Sequence, residues 1–187
     1  MNFVKATPVA TLEGPWDVSF DPAWGGPEQV TFAELQDWTQ HSESGIRYYS
    51  GSAVYRKTFD CPADLNADTK LTLDLGQVHD ICRVRLNGTA LGVVWCAPWQ
   101  VDISDVVQAT GNQLEIEVVN GWVNRMVGDQ QPQDKDARTL SWPSGLLEGK
   151  SYQTGRFTFS TADLYKVDSV LMPSGLLGPV QIMTHRE

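Results

Sequence analysis

Several short segments alternate apolar and polar residues and are therefore predicted to be β-strands. In LEIEVV (Leu114–Val119) three aliphatic side chains fall on one face and two glutamates on the other. LTLDL (Leu71–Leu75) and CRVRL (Cys82–Leu86) alternate in the same way. The remaining strand candidates are Ser52–Phe59, Ala90–Trp95, Gln100–Ile103, Phe157–Phe159, Val167–Leu171 and Val180–Thr184. Asn87-Gly88 joins two of these strands and suits a two-residue hairpin turn.

Helical patterns are scarce by comparison. Thr31–Gln40 is predicted to form a short helix, with Thr31 as N-cap and Glu34 completing a capping box. Ser104–Gln108 can form a single turn, and PSGLL, at 143–147 and again at 173–177, is interpreted as a repeated turn. Many short strands with 16 glycines and 10 prolines predict an all-β fold, an antiparallel β-sandwich with one or two short helices.

The 187 residues are expected to form a single domain, 1–187, with its core at about 14–184. The strand pattern stops over about 120–156, which predicts a long loop. A connection of this length inside a compact domain is usually functional or disordered.

Charge and composition exclude several classes of partner. The formal net charge of -9 argues against nucleic acid and against an anionic membrane surface. No apolar run approaches the roughly 20 residues of a membrane span. The first residues lack the apolar stretch of a signal peptide, so the chain is either cytoplasmic or a piece of a longer exported protein.

Motifs that carry known catalytic or cofactor chemistry are absent from the sequence. The three cysteines are interpreted as unpaired thiols, and the three histidines show no metal-ligand spacing. No nucleotide-binding loop or nucleophile elbow occurs, so no cofactor is expected to be required. Asp17, Asp21 and Glu28 lie near candidate turns and are candidate ligands for a structural calcium ion, but the sequence assigns no metal site.

The loops of a sandwich alternate between its two ends, and this rule collects the aromatic loops at one of them. We call this end A; it includes the start of Ser52–Phe59 and the loops after Leu75, after Val94 and after Val119. The other end holds small polar turns. The candidate ligand-binding residues of end A are Arg47, Tyr48, Tyr49, His79, Asp80, Trp95, Trp99, Trp122, Asn124, Arg125 and Asp129.

Aromatic rings beside charged and amide side chains suit a sugar, whose C–H faces pack on rings while its hydroxyls need donors and acceptors. The same composition also suits a protein interface. Trp95 follows two valines and is interpreted as a core residue or a surface residue with equal weight, whereas Trp99 is expected at the surface. One of the adjacent Tyr48 and Tyr49 is expected in the core and the other outside.

Four segments together resemble a known family. They are GIRYYSGSAVYRKTF, LDLGQVHDICRVRLNGTALGVVWCAPWQVDIS, NQLEIEVVNGWVNRMVGD and PSGLLGPVQI. In this order they resemble the galactose-binding-like jelly roll of glycoside hydrolase family 2, and most closely the carboxy-terminal module of the family 106 α-L-rhamnosidases. The resemblance covers about Gly14 to Ile182.

The resemblance implies a jelly-roll sandwich attached to a much larger hydrolase, which would be periplasmic or secreted. The catalytic barrel has no counterpart here, so no catalytic residue carries over. The leading hypothesis is a non-catalytic carbohydrate-binding module whose partners are an oligo- or polysaccharide, rhamnose- or galactose-containing, and the parent enzyme's catalytic domain. The alternative is a structural sandwich that docks end A onto that catalytic domain and supports it. Hydrolysis by this chain alone is the least favoured hypothesis.

Overall fold

The computed structural model describes residues 5–62, 70–132 and 164–186. These ranges contain strands β1 (Lys5–Thr11), β2 (Trp16–Phe20), β3 (Val30–Phe32), β4 (Ser52–Phe59), β5 (Leu71–Asp74), β6 (Gln77–His79), β7 (Ile81–Leu86), β8 (Thr89–Val94), β9 (Gln100–Asp102), β10 (Asn112–Val119), β11 (Gly175–Gly178) and β12 (Gln181–Arg186). Their helices are α1 (Ser44–Arg47) and α2 (Val123–Gly128), and Pro22–Trp24 and Trp38–Gln40 are 3-10 turns. None of the helices in these ranges has the length and apolarity to cross a membrane.

The strands form an antiparallel β-sandwich, as the sequence predicts. One sheet has the order β1-β12-β5-β9 and the other has the order β3-β2-β4-β10-β7-β8. A third, two-stranded sheet pairs β11 with β6. Long β10 is central, since it pairs along most of its length with both β4 and β7.

The core lies between the two main sheets and is continuous. Inward-facing aliphatic residues such as Leu73 and Ile182 in one sheet, and Val84 and Ile116 in the other, are almost completely buried. A cluster of aromatic rings fills one side: Phe20 lies edge-on to Trp38 and to Tyr49, with ring centroids 5.2 and 4.8 Å apart. Edge-to-face geometry adds stabilisation beyond the area that the rings bury.

The β7–β8 hairpin has the turn expected from Asn87-Gly88. Both residues have positive φ, 51° at Asn87 and 80° at Gly88, as a type I′ turn requires. The Asn87 side chain donates to the Val106 carbonyl at 2.8 Å and accepts from Gln113 N at 2.9 Å. These bonds fasten the turn to its neighbours.

The helix predicted over Thr31–Gln40 is wrong. Thr31 belongs to β3 and pairs with Asp17, whose carboxylate accepts a hydrogen bond from the Thr31 hydroxyl at 3.1 Å. Within this range only Trp38–Gln40 is helical, as a 3-10 turn that is capped by Asp37. Pairing with β2 buries Phe32. This burial stabilises the strand more than a local capping box would stabilise a helix.

Three further sequence predictions are corrected. Val167–Leu171 is not a strand, and the second PSGLL runs into β11, so the repeated-turn interpretation is wrong for that copy. The long loop begins with helix α2. The strand predicted at Phe157–Phe159, the first PSGLL and the rest of the loop to 156 lie outside the described residues.

Candidate functional site

Two of the loops assigned to end A, before β4 and after Val119, meet in space together with the segment 172–174, and two asparagines hold them together. The Asn120 amide donates to the Tyr49 carbonyl at 2.9 Å and to Ser174 Oγ at 3.0 Å, and its carbonyl accepts from Gly51 N. The side-chain amide of Asn124 donates to the Met172 carbonyl at 2.7 Å, and the side-chain carbonyl of Asn124 accepts from Met172 N at 2.8 Å. Three separate segments, around Tyr49–Gly51, Asn120–Asn124 and Met172–Ser174, are therefore fixed together at one end of the sandwich.

Four of the predicted binding residues support this end from inside. Tyr49 is completely buried; its hydroxyl accepts from Asp21 N and donates to the Ser52 carbonyl, and burial raises its pKa. Asn124, Arg125 and Asp129 are at most 4% exposed. The prediction that these four contact a ligand is corrected, because their polar atoms face the protein interior.

Arg125 and Asp129 form an ion pair across one turn of α2, with Nε 3.1 Å from Oδ1. Arg125 N also donates to Ser50 Oγ at 3.1 Å. A buried guanidinium needs both charge and hydrogen-bond partners. The ion pair lies within the α2 segment, and the bond from Arg125 N to Ser50 fixes α2 against the loop that precedes β4.

Of the two tryptophans of the VWCAPW loop, Trp99 departs from the surface position expected, and Trp95, for which core and surface are expected with equal weight, lies at the surface. Trp95 is 71% exposed, whereas Trp99 is half-buried against the core. The Trp99 carbonyl accepts from Leu75 N at 2.8 Å, which draws this residue towards β5. The exposed position predicted for Trp99 is therefore that of Trp95.

His79 and Asp80 do not form a catalytic dyad in this structure. The half-buried His79 lies in β6, where it pairs with Gly175. The exposed Asp80 carboxylate accepts from Gly121 N at 3.1 Å. Asp80 thus links the start of β7 to the loop that carries Trp122.

Arg47 and Tyr48 line a cavity of about 350 Å³ at end A. As expected for adjacent tyrosines, Tyr49 is buried while Tyr48 is partly exposed. The Arg47 guanidinium lies 5.8 Å from the Tyr48 ring centroid. The other lining residues are Thr39, Gln40, Val127, Val167, Asp168, Ser169, Val170 and Leu171. The cavity therefore combines a cation, an anion, neutral donors and acceptors, and aliphatic surface.

Trp122 is 49% exposed and packs edge-on against Trp24, with ring centroids 5.6 Å apart. Trp24, Gln40 and Asp168 were missed by the analysis of the sequence. Loop alternation starts from β4, so it does not assign the loop between β2 and β3, which carries Trp24, to an end. The period-2 pattern of WDVSF is the signal that identifies β2, and antiparallel pairing of Phe20 with Ala53 places the Trp24 loop at end A.

The described residues contain no group of three or more His, Cys, Asp or Glu side chains that could hold a metal ion. Of the three candidate calcium ligands, Asp17 accepts from Thr31, Asp21 accepts from Ala23 N, and Glu28 is exposed. Cys61, Cys82 and Cys96 are free thiols, as predicted.

Comparison with known proteins defines the class. The chain aligns with "Putative beta-glucuronidase" of Formosa agariphila at 39% identity over 185 residues, covering 96% of this chain and 16% of the relative. The rhamnosidase from Novosphingobium sp. PP1Y superimposes with a TM-score of 0.80 at 34% identity, over 99% of this chain and 16% of that one. A β-glucuronidase from Ruminococcus gnavus, in complex with D-glucaro 1,5-lactone, shares the fold with a TM-score of 0.60 at 20% identity. The match covers 100% of this chain and 31% of the Ruminococcus gnavus chain.

These relatives place the fold among the galactose-binding-like β-sandwich domains found in glycoside hydrolases. Residues 34–156 match the family described as glycosyl hydrolase 2 galactose-binding domain-like, and the chain belongs to that family. The chain spans only 16% of the length of both the glucuronidase relative and the Novosphingobium rhamnosidase.

Proposed function

We propose that this domain is a non-catalytic carbohydrate-binding module of a larger, rhamnosidase- or glucuronidase-like glycoside hydrolase. The observation that carries the proposal is the cavity lined by Arg47 and Tyr48 at end A. Its volume, about 350 Å³, lies in the lower part of the range for small-molecule sites, roughly 300 to 1,000 Å³. The ligand is a glycan that contains rhamnose or galactose.

The chemistry of the cavity supports a sugar over an apolar ligand. Arg47 can donate to ring or hydroxyl oxygens, and Asp168 can accept from hydroxyl groups on the opposite side of the ligand. Arg47 and Asp168 form no ion pair with each other or with another described residue. Both are therefore available to hydroxyls, while Tyr48 and the aliphatic lining receive the C–H faces.

The test is titration of the chain with rhamnose- and galactose-containing oligosaccharides, by calorimetry at high protein concentration. Arg47→Ala and Tyr48→Ala should each weaken binding by about tenfold or more, because each removes a charged donor or a ring face. Lys70→Ala is the matched control: it removes an exposed cation that does not line the cavity. Absence of binding to every oligosaccharide, or equal loss in the control, would contradict the proposal.

A second function, docking onto the catalytic domain of the parent enzyme, is favoured by a separate observation. Ile81, Val93 and Trp95 are 43%, 54% and 71% exposed. Ile81 precedes Cys82 and Trp95 follows Val94, and Cys82 and Val94 pair at the end of the β7–β8 ladder, so the three lie at the same end of this hairpin. Adjacent exposed apolar side chains of this size mark interaction surfaces. Both relatives that the chain matches at 34% identity or more are about six times its length, which provides room for such a partner.

Docking makes a different prediction for Trp95→Ala. The substitution should leave the isolated domain unchanged but lower the melting midpoint of a longer chain that includes the catalytic domain. Under the sugar-binding proposal, the same longer chain keeps its melting midpoint. The comparison of the two chain lengths therefore separates the two functions.

A further inference from the structure

The outer face of the six-stranded sheet carries an ordered row of alternating charges, on a different surface from end A. The strand register places Asp17 beside Arg56, Arg56 beside Glu115, and Glu115 beside Arg85. In the neighbouring row Glu117 lies beside Arg83. Opposite charges on directly facing strand positions stabilise a sheet.

One of the arginines in these two rows has no ion-pair partner among the described residues. Arg56 Nε lies 3.4 Å from Glu115 Oε2, and Arg83 Nη1 lies 3.0 Å from Glu117 Oε2. Within the described part of the chain, Arg85 forms neither an ion pair nor a side-chain hydrogen bond. Arg85 therefore presents on this face a guanidinium without a direct ion-pair partner among the described residues.

A groove of about 420 Å³ runs beside Arg85 because the edge strand β8 has small residues there. Arg85 pairs with Ala90, and Val84 pairs with Gly92. A Cβ at Gly92 would meet nothing within 4 Å, so the space beside the strand is open. The groove is lined by Val54, Arg83, Val84, Arg85, Ala90, Gly92, Val93, Glu115 and Glu117.

We propose that this groove binds a uronic-acid-containing oligosaccharide, as a second glycan site separate from end A. The Arg85 guanidinium matches the planar carboxylate of a uronate through two parallel N–H···O bonds. Glu115 is 44% exposed and Glu117 is 28% exposed, so both keep acceptor capacity for sugar hydroxyls. The small and aliphatic side chains of the groove pack on the C–H face of the sugar ring.

The two glutamates decide between an acidic glycan and an acidic peptide. A peptide rich in Asp and Glu supplies anions, but its acidic side chains offer no donors to Glu115 and Glu117. A uronate carries one carboxylate and several hydroxyl donors on one ring. It therefore satisfies Arg85 and the glutamates at the same time.

The experiment compares oligogalacturonate with its carboxyl-reduced form by calorimetry at low and high salt. The wild-type chain should bind the acid form, bind the reduced form at least about tenfold more weakly, and lose affinity for the acid form as salt rises. Arg85→Ala should cause a loss of similar size, and Ala90→Trp should block the groove while keeping the melting midpoint, since Ala90 is exposed. Lys70→Ala, which removes an exposed cation outside both proposed sites, is the matched control and should leave binding of oligogalacturonate unchanged. Arg47→Ala is measured beside it to detect binding of the acid form at end A.

Four results would overturn this assignment. The first is equal affinity for the acid and reduced forms. The second is unchanged affinity in both Arg85→Ala and Ala90→Trp, and the third is loss of binding in Arg47→Ala, which would place the ligand at end A. A sulfated neutral oligosaccharide that binds as tightly as the uronate would refute the carboxylate class. The proposal for end A is tested with neutral sugars, so either proposal can fail without the other.

Discussion

Trp95 and Trp99 show how strongly the environment of a single residue decides its role. The two indoles flank the same Ala-Pro pair, yet Trp95 extends into solvent and Trp99 packs against the core. The valines before Trp95 suggest burial, but Val93 is itself 54% exposed on the edge strand β8. An apolar run therefore does not identify a buried residue when its strand lies at the edge of a sheet.

Truncation of each indole should separate the two environments. Trp99→Ala is expected to lower the free energy of unfolding by about 3 kcal/mol, because it leaves a cavity beside the core. Trp95→Ala should change this free energy by no more than about 0.5 kcal/mol. Urea unfolding of both variants is the measurement. A larger effect for Trp95→Ala would mean that its indole packs in the core.

The Cys82 thiol should make the stability of the domain sensitive to alkali. Its complete burial raises its pKa to about 11. As the pH rises above the pKa of a thiol in the unfolded chain, roughly 8.5, only the unfolded form ionises, so unfolding becomes easier. The stabilising contribution is complete below that pH and is lost as the pH rises through about 11.

The pH dependence can be measured by urea unfolding at about pH 8 and about pH 10. Between them the thiol should remove on the order of 1 kcal/mol of stability. Cys82→Ala should lower stability at both pH values but show a shallower decline between them. Cys96→Ala, at an exposed position, controls for general effects of removing a thiol. A decline in Cys82→Ala as steep as in the wild type would refute the assignment to this thiol.

At the scale of elements, Asn112 connects parts of the fold that are distant in sequence. Its amide donates to the carbonyls of Phe59 and Gln108, at 3.3 and 2.6 Å. Its carbonyl accepts from Gln108 N at 2.7 Å and from the Asn87 amide at 3.0 Å. One fully buried side chain thus joins β10 to the end of β4, to the turn after β9 and to the β7–β8 hairpin.

Asn112→Asp keeps the shape of this side chain but replaces its donor with an oxygen that faces two carbonyls. The buried, uncompensated charge should cost about 3 to 5 kcal/mol of stability. Lower pH should restore part of the loss, because a protonated carboxyl regains one donor. Thermal melts across pH are the measurement, and Gln113→Glu, the same amide-to-acid change at an exposed neighbour, should have little effect. Equal melting midpoints for the two variants would contradict the connecting role.

The elements that the sequence predicts correctly are those whose pattern matches their environment. β4, β7 and β10 lie next to each other within the larger sheet, where one face is buried, so alternation reports their state directly. Residues 31–40 carry a capping pattern, but pairing of β3 with β2 outweighs it. Local preference is weak compared with the burial that a distant strand provides.

Only part of the candidate site can be predicted from the sequence, for a related reason. Loop alternation brings the correct segments to end A, since it depends on strand order alone. It does not tell whether Arg125 turns towards solvent or towards Asp129, because burial depends on how the surrounding loops pack. The sequence pattern predicts a strand for the segment that holds Asp168 and Ser169. Its position at end A depends on distant hydrogen bonds, from Asn124 to Met172 and from Gln131 to the Val167 carbonyl.

At the scale of the whole molecule, the 187-residue chain should not hydrolyse glycosides. A catalytic barrel takes roughly 250 residues, and the described part of this chain forms a sandwich with its own core. Aryl rhamnosides, galactosides and glucuronides should therefore show no release of the aryl group above the buffer rate. Turnover that a single carboxylate substitution abolishes would contradict this expectation, since glycoside hydrolysis needs a pair of carboxylates.

The pairing of β1 with β12 governs the order in which the protein can assemble during synthesis. Ala6 lies opposite His185 and Thr11 lies opposite Gln181, so one ladder joins segments about 170 to 180 residues apart. The larger sheet needs nothing beyond Val119 and can form while the ribosome is still translating the rest. The smaller sheet must wait for β12, which lies between β1 and β5. Until then the inner face of the larger sheet is uncovered, so slow translation of the last quarter of the chain would prolong the interval in which this protein needs a chaperone.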